Sequence, residues 1–377
     1  MPANHERALD ALLRRGRLRR LEPRHGCDFT SNDYLGLAES PELREAVARA
    51  LERGVPVGAG GSRLLRGNHD EHEALEVEAA RFFKTETALY FGGGFVANTA
   101  IFSTLPQRGD VIVYDELIHA SAHDGMRLSK VETVAAKHND PQAFEDAIKT
   151  WRAGGGTGQP WIAVESLYSM DGDRAPLTEL AAMADRHDAM LIIDEAHATG
   201  VFGPEGRGLG AELEGRANVI SLHTCGKALG ASGALVLAPK TLRDFLINRA
   251  RAFIYATAPS PLMAATVRAA LEISAKAPER RQALQKRIAF TGKLLTEQTG
   301  ITPSGSQIQP VIVGADTAAV ALAAALKARG FDIRAIRPPT VPEGTARLRM
   351  TLTLNTSEAD VSRLIEALRE EHARLKP

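Results

Sequence analysis

Cysteine is almost missing from this chain: Cys27 and Cys225 are the whole complement, too few for a disulfide framework and in keeping with a reducing compartment. Charge of one sign is missing too. The 46 Lys and Arg residues meet 46 Asp and Glu, so no global field exists to attract nucleic acid or another polyanion. No uninterrupted apolar stretch approaches the roughly 20 residues that cross a bilayer, and the Ala-rich run near 318–328 is short and ends in Lys327 and Arg329. The N-terminus holds Arg14, Arg15, Arg17, Arg19 and Arg20 but no apolar core segment, and Glu6 and Asp10 interrupt it, so neither a secretory signal nor a transit peptide fits. The expectation is a cytoplasmic protein that begins with a basic helix. Internal repeats and low-complexity tracts are also absent from the sequence.

What is present is an ordinary globular composition, 44% hydrophobic and 24% charged over 377 residues, enough for two or three domains and a large core. Between about 75 and 240, short apolar runs alternate with helical stretches: Ala88–Phe91, Asp110–Tyr114, Trp161–Glu165, Met190–Asp194, Asn218–Leu222 and Gly233–Leu237. Continuous apolar runs of this kind belong to strands buried on both faces, which predicts a mostly parallel α/β sheet with its ligand beyond the carboxyl ends of the strands. The Gly-rich stretch 152–160 is flanked by strands of one pattern and reads as a surface loop. A charged helical region from about 265 to 298 precedes Val311–Val313, Phe331–Ile333 and Ala346–Thr353, which predicts a smaller α+β C-terminal domain.

Three features can carry chemistry. In Leu191-Ile-Ile-Asp-Glu-Ala-His197 an apolar strand ends in an acid, with a histidine three residues on. A helicase-type ATPase also carries D-E-A-H, but it needs a G-x-x-x-x-G-K-[ST] loop that this sequence does not contain. Next, Ser221-Leu-His-Thr-Cys-Gly-Lys227 is a strand that ends in small residues and a lysine. Such a lysine can form a Schiff base with an aldehyde cofactor, and pyridoxal phosphate also calls for an acid at its ring nitrogen, a role open to Asp194. A capping acid and a surface lysine are the plain alternative. Finally, Tyr90-Phe-Gly-Gly-Gly-Phe-Val-Ala-Asn98 sets three glycines between a strand and a helix, where free N–H groups can hold a phosphate. Gly92, Gly94 and Ala97 also satisfy the G-x-G-x-x-A dinucleotide pattern, so a nicotinamide oxidoreductase is the rival reading, although it leaves Lys227, Asp194 and His197 unused. His119 and His123 stand four apart, as a helical metal pair would, but no third ligand is evident and none is expected. A flat ring stacking on a flat cofactor is the simpler role for His119.

These residues converge on a family. The chain resembles the pyridoxal-phosphate-dependent α-oxoamine synthases of fold type I through, in order, Ser31–Leu37, Gly60–Leu64, Gly94-Phe95, His119–Ser121, Ser169–Asp173, Asp194–Gly200, Gly226-Lys227 and Ile336–Pro342 with Gly344–Arg349. The resemblance implies a large, mostly parallel seven-stranded domain at 39–275, an N-terminal helix and arm at 1–38, and a small α+β domain at 276–377. It implies that Lys227 makes the Schiff base, Asp194 pairs with the ring nitrogen, His197 bonds the phenolic oxygen and His119 stacks on the ring. Gly94 and Phe95 would offer N–H groups to the phosphate, with Ser169 and Thr224 near the cofactor. Thr257 would reach the cofactor of a neighbouring subunit in a homodimer. Asn32 and Arg349 would hold an amino-acid carboxylate, and Arg19 and Thr340 would line the substrate entrance. The implied reaction joins L-alanine to pimeloyl-CoA or pimeloyl-acyl carrier protein with loss of CO2, in biotin biosynthesis, and glycine acetyl transfer is the alternative. The segment between the first helix and Ser31 is shorter than is usual in the family. Cys225 reads as a small packed residue.

Overall fold

In the computed structural model, which describes residues 3–375, the chain opens with helix α1 (Ala3–Arg14) and a two-residue strand β1 (Cys27–Asp28). It divides into two compact units. One is formed by Leu35–Ser169 and Arg174–Arg281, the other by the residues up to Tyr34, Met170–Asp173 and the chain from Gln282 on.

The larger unit is built on strands β2 (Thr87–Phe91), β3 (Val111–Asp115), β4 (Glu132–Ala136), β5 (Pro160–Glu165), β6 (Met190–Asp194), β7 (Val219–Thr224) and β8 (Ala234–Ala238). Their order across the sheet is β2-β8-β7-β6-β5-β3-β4; only β8 runs antiparallel to its neighbours. Alternation along each strand sends residues to two cores. Trp161, Ala163, Ile192, Ile220 and Leu222 pack under α4 (Gly94–Thr104) and α5 (Ala120–Leu128), whereas Ile162, Val164, Leu191, Ile193 and Val219 pack on the opposite face against Phe144, Ile148 and Leu180. Both faces are therefore dry, which is why these strands read as unbroken apolar runs. The edge strand β4, Glu-Thr-Val-Ala-Ala, was not predicted: it is mostly exposed and lacks the apolar run that marked the others. The stretch 154–159 is a turn between the helix Pro141–Ala153 and β5.

Two further helices of this unit show how local sequence sets a helix start. In α2 (Pro41–Glu52) the Ser40 hydroxyl caps the first turn, and in α3 (Asp70–Phe83) His69 and His72 form a reciprocal cap. The predicted charged helical region is two helices, Pro261–Ala275 and Pro278–Thr299.

In the smaller unit, β9 (Ile308–Gly314) and β11 (Ala335–Ile336) flank β12 (Ala346–Thr351) in an antiparallel sheet, and β1 pairs parallel with β10 (Phe331–Asp332). That pairing ties the residues before Tyr34 to the C-terminal segment.

Candidate active site

The parallel strands deliver their last residues to one place. Glu165 ends β5, Asp194 ends β6 and Thr224 ends β7; Glu165 pairs with Asp194, and all three lie on the α4/α5 face by alternation. There they line a cavity of about 290 Å³ together with Gly94, Phe95, His119, His197 and Lys227. Of the predicted cofactor residues, Ser169 and Thr257 do not line it. Ser169 is buried behind it, its N–H donating to Glu165 Oε2 at 3.1 Å, and Thr257 is exposed in the loop after Tyr255.

At one end of the cavity α4 begins without a side-chain cap. Gly93 has nothing to offer the first-turn N–H groups, so those of Gly94 and Phe95 remain for a ligand. A Cβ at Gly92 or Gly93 would stand in open space, and one at Gly94 would meet Thr224 Cγ2 at 2.6 Å. This is a cradle that side chains would fill or distort, and its size and dipole suit a phosphate.

Asp194 is held from two sides. The Asn98 Nδ2 group donates to its Oδ2 at 2.7 Å, and the Ala196 N–H to its Oδ1 at 2.9 Å. Asn98 Nδ2 also donates to the Ser121 hydroxyl at 2.9 Å, and that hydroxyl lies 2.8 Å from His119 Nδ1, which accepts the Ser121 N–H at 3.2 Å as well. The network assigns the neutral His119 proton to Nε2. Loss of hydration lowers the His119 pKa from its ordinary value; Asp194 opposes this and Lys227 adds to it. His119 is the N-cap of α5, outside the helix that holds His123, so the two do not share a helical face. Among the described residues no group of three or more His, Cys, Asp or Glu could hold a metal ion.

Glu165 is buried, and its Oε1 has no hydrogen-bond partner. Burial pushes its pKa well up and Asp194 adds to this, against Lys227 and the hydrogen bonds from Ser169. Neither Asn98, Ser121 nor Glu165 was singled out in the sequence. For Glu165 the signal was the one that pointed to Asp194, an acid closing an apolar strand. For Asn98 it was the position one turn into the helix behind the glycines. Cys225 is buried beside the Lys227 segment in a cluster with Tyr90 and Leu229, and burial pushes its thiol pKa up, which makes it an inert packing residue.

In the smaller unit the fold joins residues far apart in sequence. Arg349 Nη1 donates to Asn32 Oδ1 at 3.0 Å and to Thr351 Oγ1 at 2.7 Å. Arg19 and Thr340, both exposed, approach at 3.5 Å.

A strand-terminal acid, a glycine-loop lysine and an uncapped helix around one cavity define a class, and residues 24–368 match it: the chain belongs to the class I and II aminotransferase family. Within that family it is 42% identical over 347 residues to the 8-amino-7-oxononanoate synthase of Herminiimonas arsenicoxydans, covering 90% of this chain and 88% of the relative. The enzyme of that name from Geobacter sulfurreducens is 42% identical over 344 residues, 90% and 86% of the two chains. Among solved structures, 8-amino-7-oxononanoate synthase from Francisella tularensis aligns with a TM-score of 0.78 at 29% identity, over 93% of this chain and 98% of that one. Serine palmitoyltransferase from Sphingomonas wittichii aligns with a TM-score of 0.88 at 28% identity, over 99% and 97%. The fold is that of the pyridoxal-phosphate-dependent transferases, with a large mixed sheet of seven strands.

Proposed function

We propose that this chain is a pyridoxal-phosphate-dependent C-acyltransferase with the activity of its curated relatives, joining L-alanine to a pimeloyl thioester to give 8-amino-7-oxononanoate, CO2 and the free thiol, in biotin biosynthesis. The observation that carries this reading is the convergence of Asp194, Lys227, His119 and His197 on a cavity that ends at an uncapped helix. Pyridoxal phosphate, when bound, supplies an electron sink for bonds broken at the amino-acid Cα.

The chain's own residues would do the rest. Lys227 provides the amine that anchors the aldehyde and then carries a proton to and from Cα. Asp194, kept in place by Asn98 and Ala196, holds the proton of the ring nitrogen. His197 bonds the phenolic oxygen, and the Gly94 and Phe95 N–H groups with Thr224 hold the phosphate. His119 presents its Nε2–H to the thioester oxygen as negative charge develops there. Arg349, with Asn32, takes the amino-acid carboxylate.

The wild-type protein mixed with pyridoxal phosphate should develop a visible absorbance band that borohydride removes, and Lys227→Ala should neither form that band nor turn over. L-Alanine should perturb the band and, with pimeloyl-CoA, release free thiol. A response confined to glycine and acetyl-CoA would reassign the substrates, and a protein that takes up no cofactor would sink the reading.

The second subunit is part of the proposal. Leu64, Leu65 and Tyr255 are exposed, and Ala258 N–H donating to Gly61 O at 2.8 Å ties their two loops together beside Thr257. Large apolar side chains so exposed favour association, and a homodimer would let Thr257 contribute to the partner's phosphate site.

A further inference from the structure

Asp194 and Glu165 are cross-strand partners at the carboxyl ends of β6 and β5, on one face, in one cavity. Two carboxyl groups so close do not readily share two negative charges. The hydrogen bonds decide which one keeps its charge. Each Asp194 oxygen receives an N–H, from Asn98 and from Ala196, as an anion requires. Glu165 takes its hydrogen bonds from Ser169, with the Ser169 N–H on Oε2, while Oε1, in a residue 2% exposed, has no partner. A buried carboxylate oxygen left bare is costly, whereas a carboxylic acid needs only an acceptor for its single O–H. Burial and the Asp194 charge both push Glu165 toward the protonated form.

We propose that Glu165 is carried as a neutral carboxylic acid whose Oε1–H donates a hydrogen bond to an anionic oxygen of the molecule bound in the cavity. That oxygen belongs either to the cofactor's phenolate or to the amino-acid substrate. The assignment rests on the cofactor reading above. It gives the cavity a donor that carries no charge, so a bound anion is oriented without a cation opposing Lys227.

The test uses the isosteric pair Glu165→Gln and Glu165→Leu in the full chain, with thermal unfolding to verify that each variant folds. Gln keeps an acceptor for the Ser169 N–H and a donor toward the cavity; Leu keeps neither. Infrared difference spectra of the cofactor-free protein at neutral pH should show a deuterium-sensitive carboxylic-acid C=O band that Glu165→Gln removes. Pyridoxal phosphate should move that band if the phenolate is the acceptor. L-Alanine, added afterwards, should move it if the substrate oxygen is. Glu165→Gln should retain kcat/KM for L-alanine within a few-fold, and Glu165→Leu should lose about 10- to 100-fold, the worth of one hydrogen bond to a charged group. Absence of the infrared band, a band unmoved by both additions, or a Gln variant as impaired as Leu would each overturn the proposal. Wild-type protein that shows the infrared band but takes up no pyridoxal phosphate would instead bring down the cofactor reading, and this ligand assignment with it.

Discussion

Asn98 spends both N–H bonds of one amide on Asp194 and Ser121, and so links the Asp194 carboxylate to the tautomer of His119. Asn98→Ala should therefore lower kcat/KM by about 10- to 100-fold, as expected when a charged acceptor loses its donor, and steady-state kinetics on the folded variant check it. Asp194→Asn, which removes the charge itself, should cost on the order of 100-fold or more in kcat; rates at the wild-type level would contradict its role. His119 titrates below the ordinary imidazole value of ~6.5, so it is neutral at and above that pH and gains its proton only in a more acid window. An imidazole whose folded pKa is lowered favours the unfolded state once the pH falls below ~6.5. NMR titration of the His119 ring, with His119→Gln to assign its signal, should find the lowered value.

The elements carry their own tests. Asp115 ends β3 fully buried and receives the Leu117 and Asn139 N–H groups at 2.9 Å, with His138 Nδ1 at 2.8 Å. Burial would raise its pKa, but these hydrogen bonds together outweigh burial and hold it below the ordinary carboxylate value. A depressed carboxylate stabilises the fold above its unfolded pKa of ~3.9, and that contribution is lost as the pH falls through the lower folded value. Asp115→Asn should accordingly cost about 1–3 kcal/mol near neutrality, a deficit that shrinks only below about pH 3.9, measurable as a shift in denaturant midpoint across a pH series. Gly233, just before β8, has φ +106°, and a Cβ there would meet Tyr90 Cε2 at 2.3 Å while the Tyr90 hydroxyl donates to Ser232 O at 2.7 Å. Gly233→Ala should destabilise by about 1–3 kcal/mol, since strain and a clash with a buried ring add, and the same midpoint measurement reads it.

For the whole molecule the prediction concerns assembly. If Thr257 serves a neighbour's phosphate site, Thr257→Glu should be inactive through repulsion of the phosphate, yet mixing refolded Thr257→Glu and Lys227→Ala chains should restore partial activity. Mixed chains that sediment as dimers and stay inactive would refute the shared site. Light scattering on the wild type tests whether the chain is a dimer at all.

Much of the larger unit was legible because local chemistry writes it. A strand dry on both faces must be an unbroken apolar run, and Asp194, Lys227 and the glycines of 92–94 sit where such strands end. Strand β4 was not legible, because an exposed edge asks little of its side chains. Asn98, Ser121 and Glu165 were not singled out either, since an amide, a hydroxyl and a strand-end acid acquire meaning only from what lies across from them. Arg349 and Asn32 could be named by resemblance, but their 3.0 Å contact joins positions 317 residues apart, a distance that only folding closes. Residue type and spacing nominate side chains such as Asp194 and Lys227 for the chemistry. Which oxygen is charged, which proton faces the cavity and which buried atom still lacks a partner depend on neighbours brought together through space.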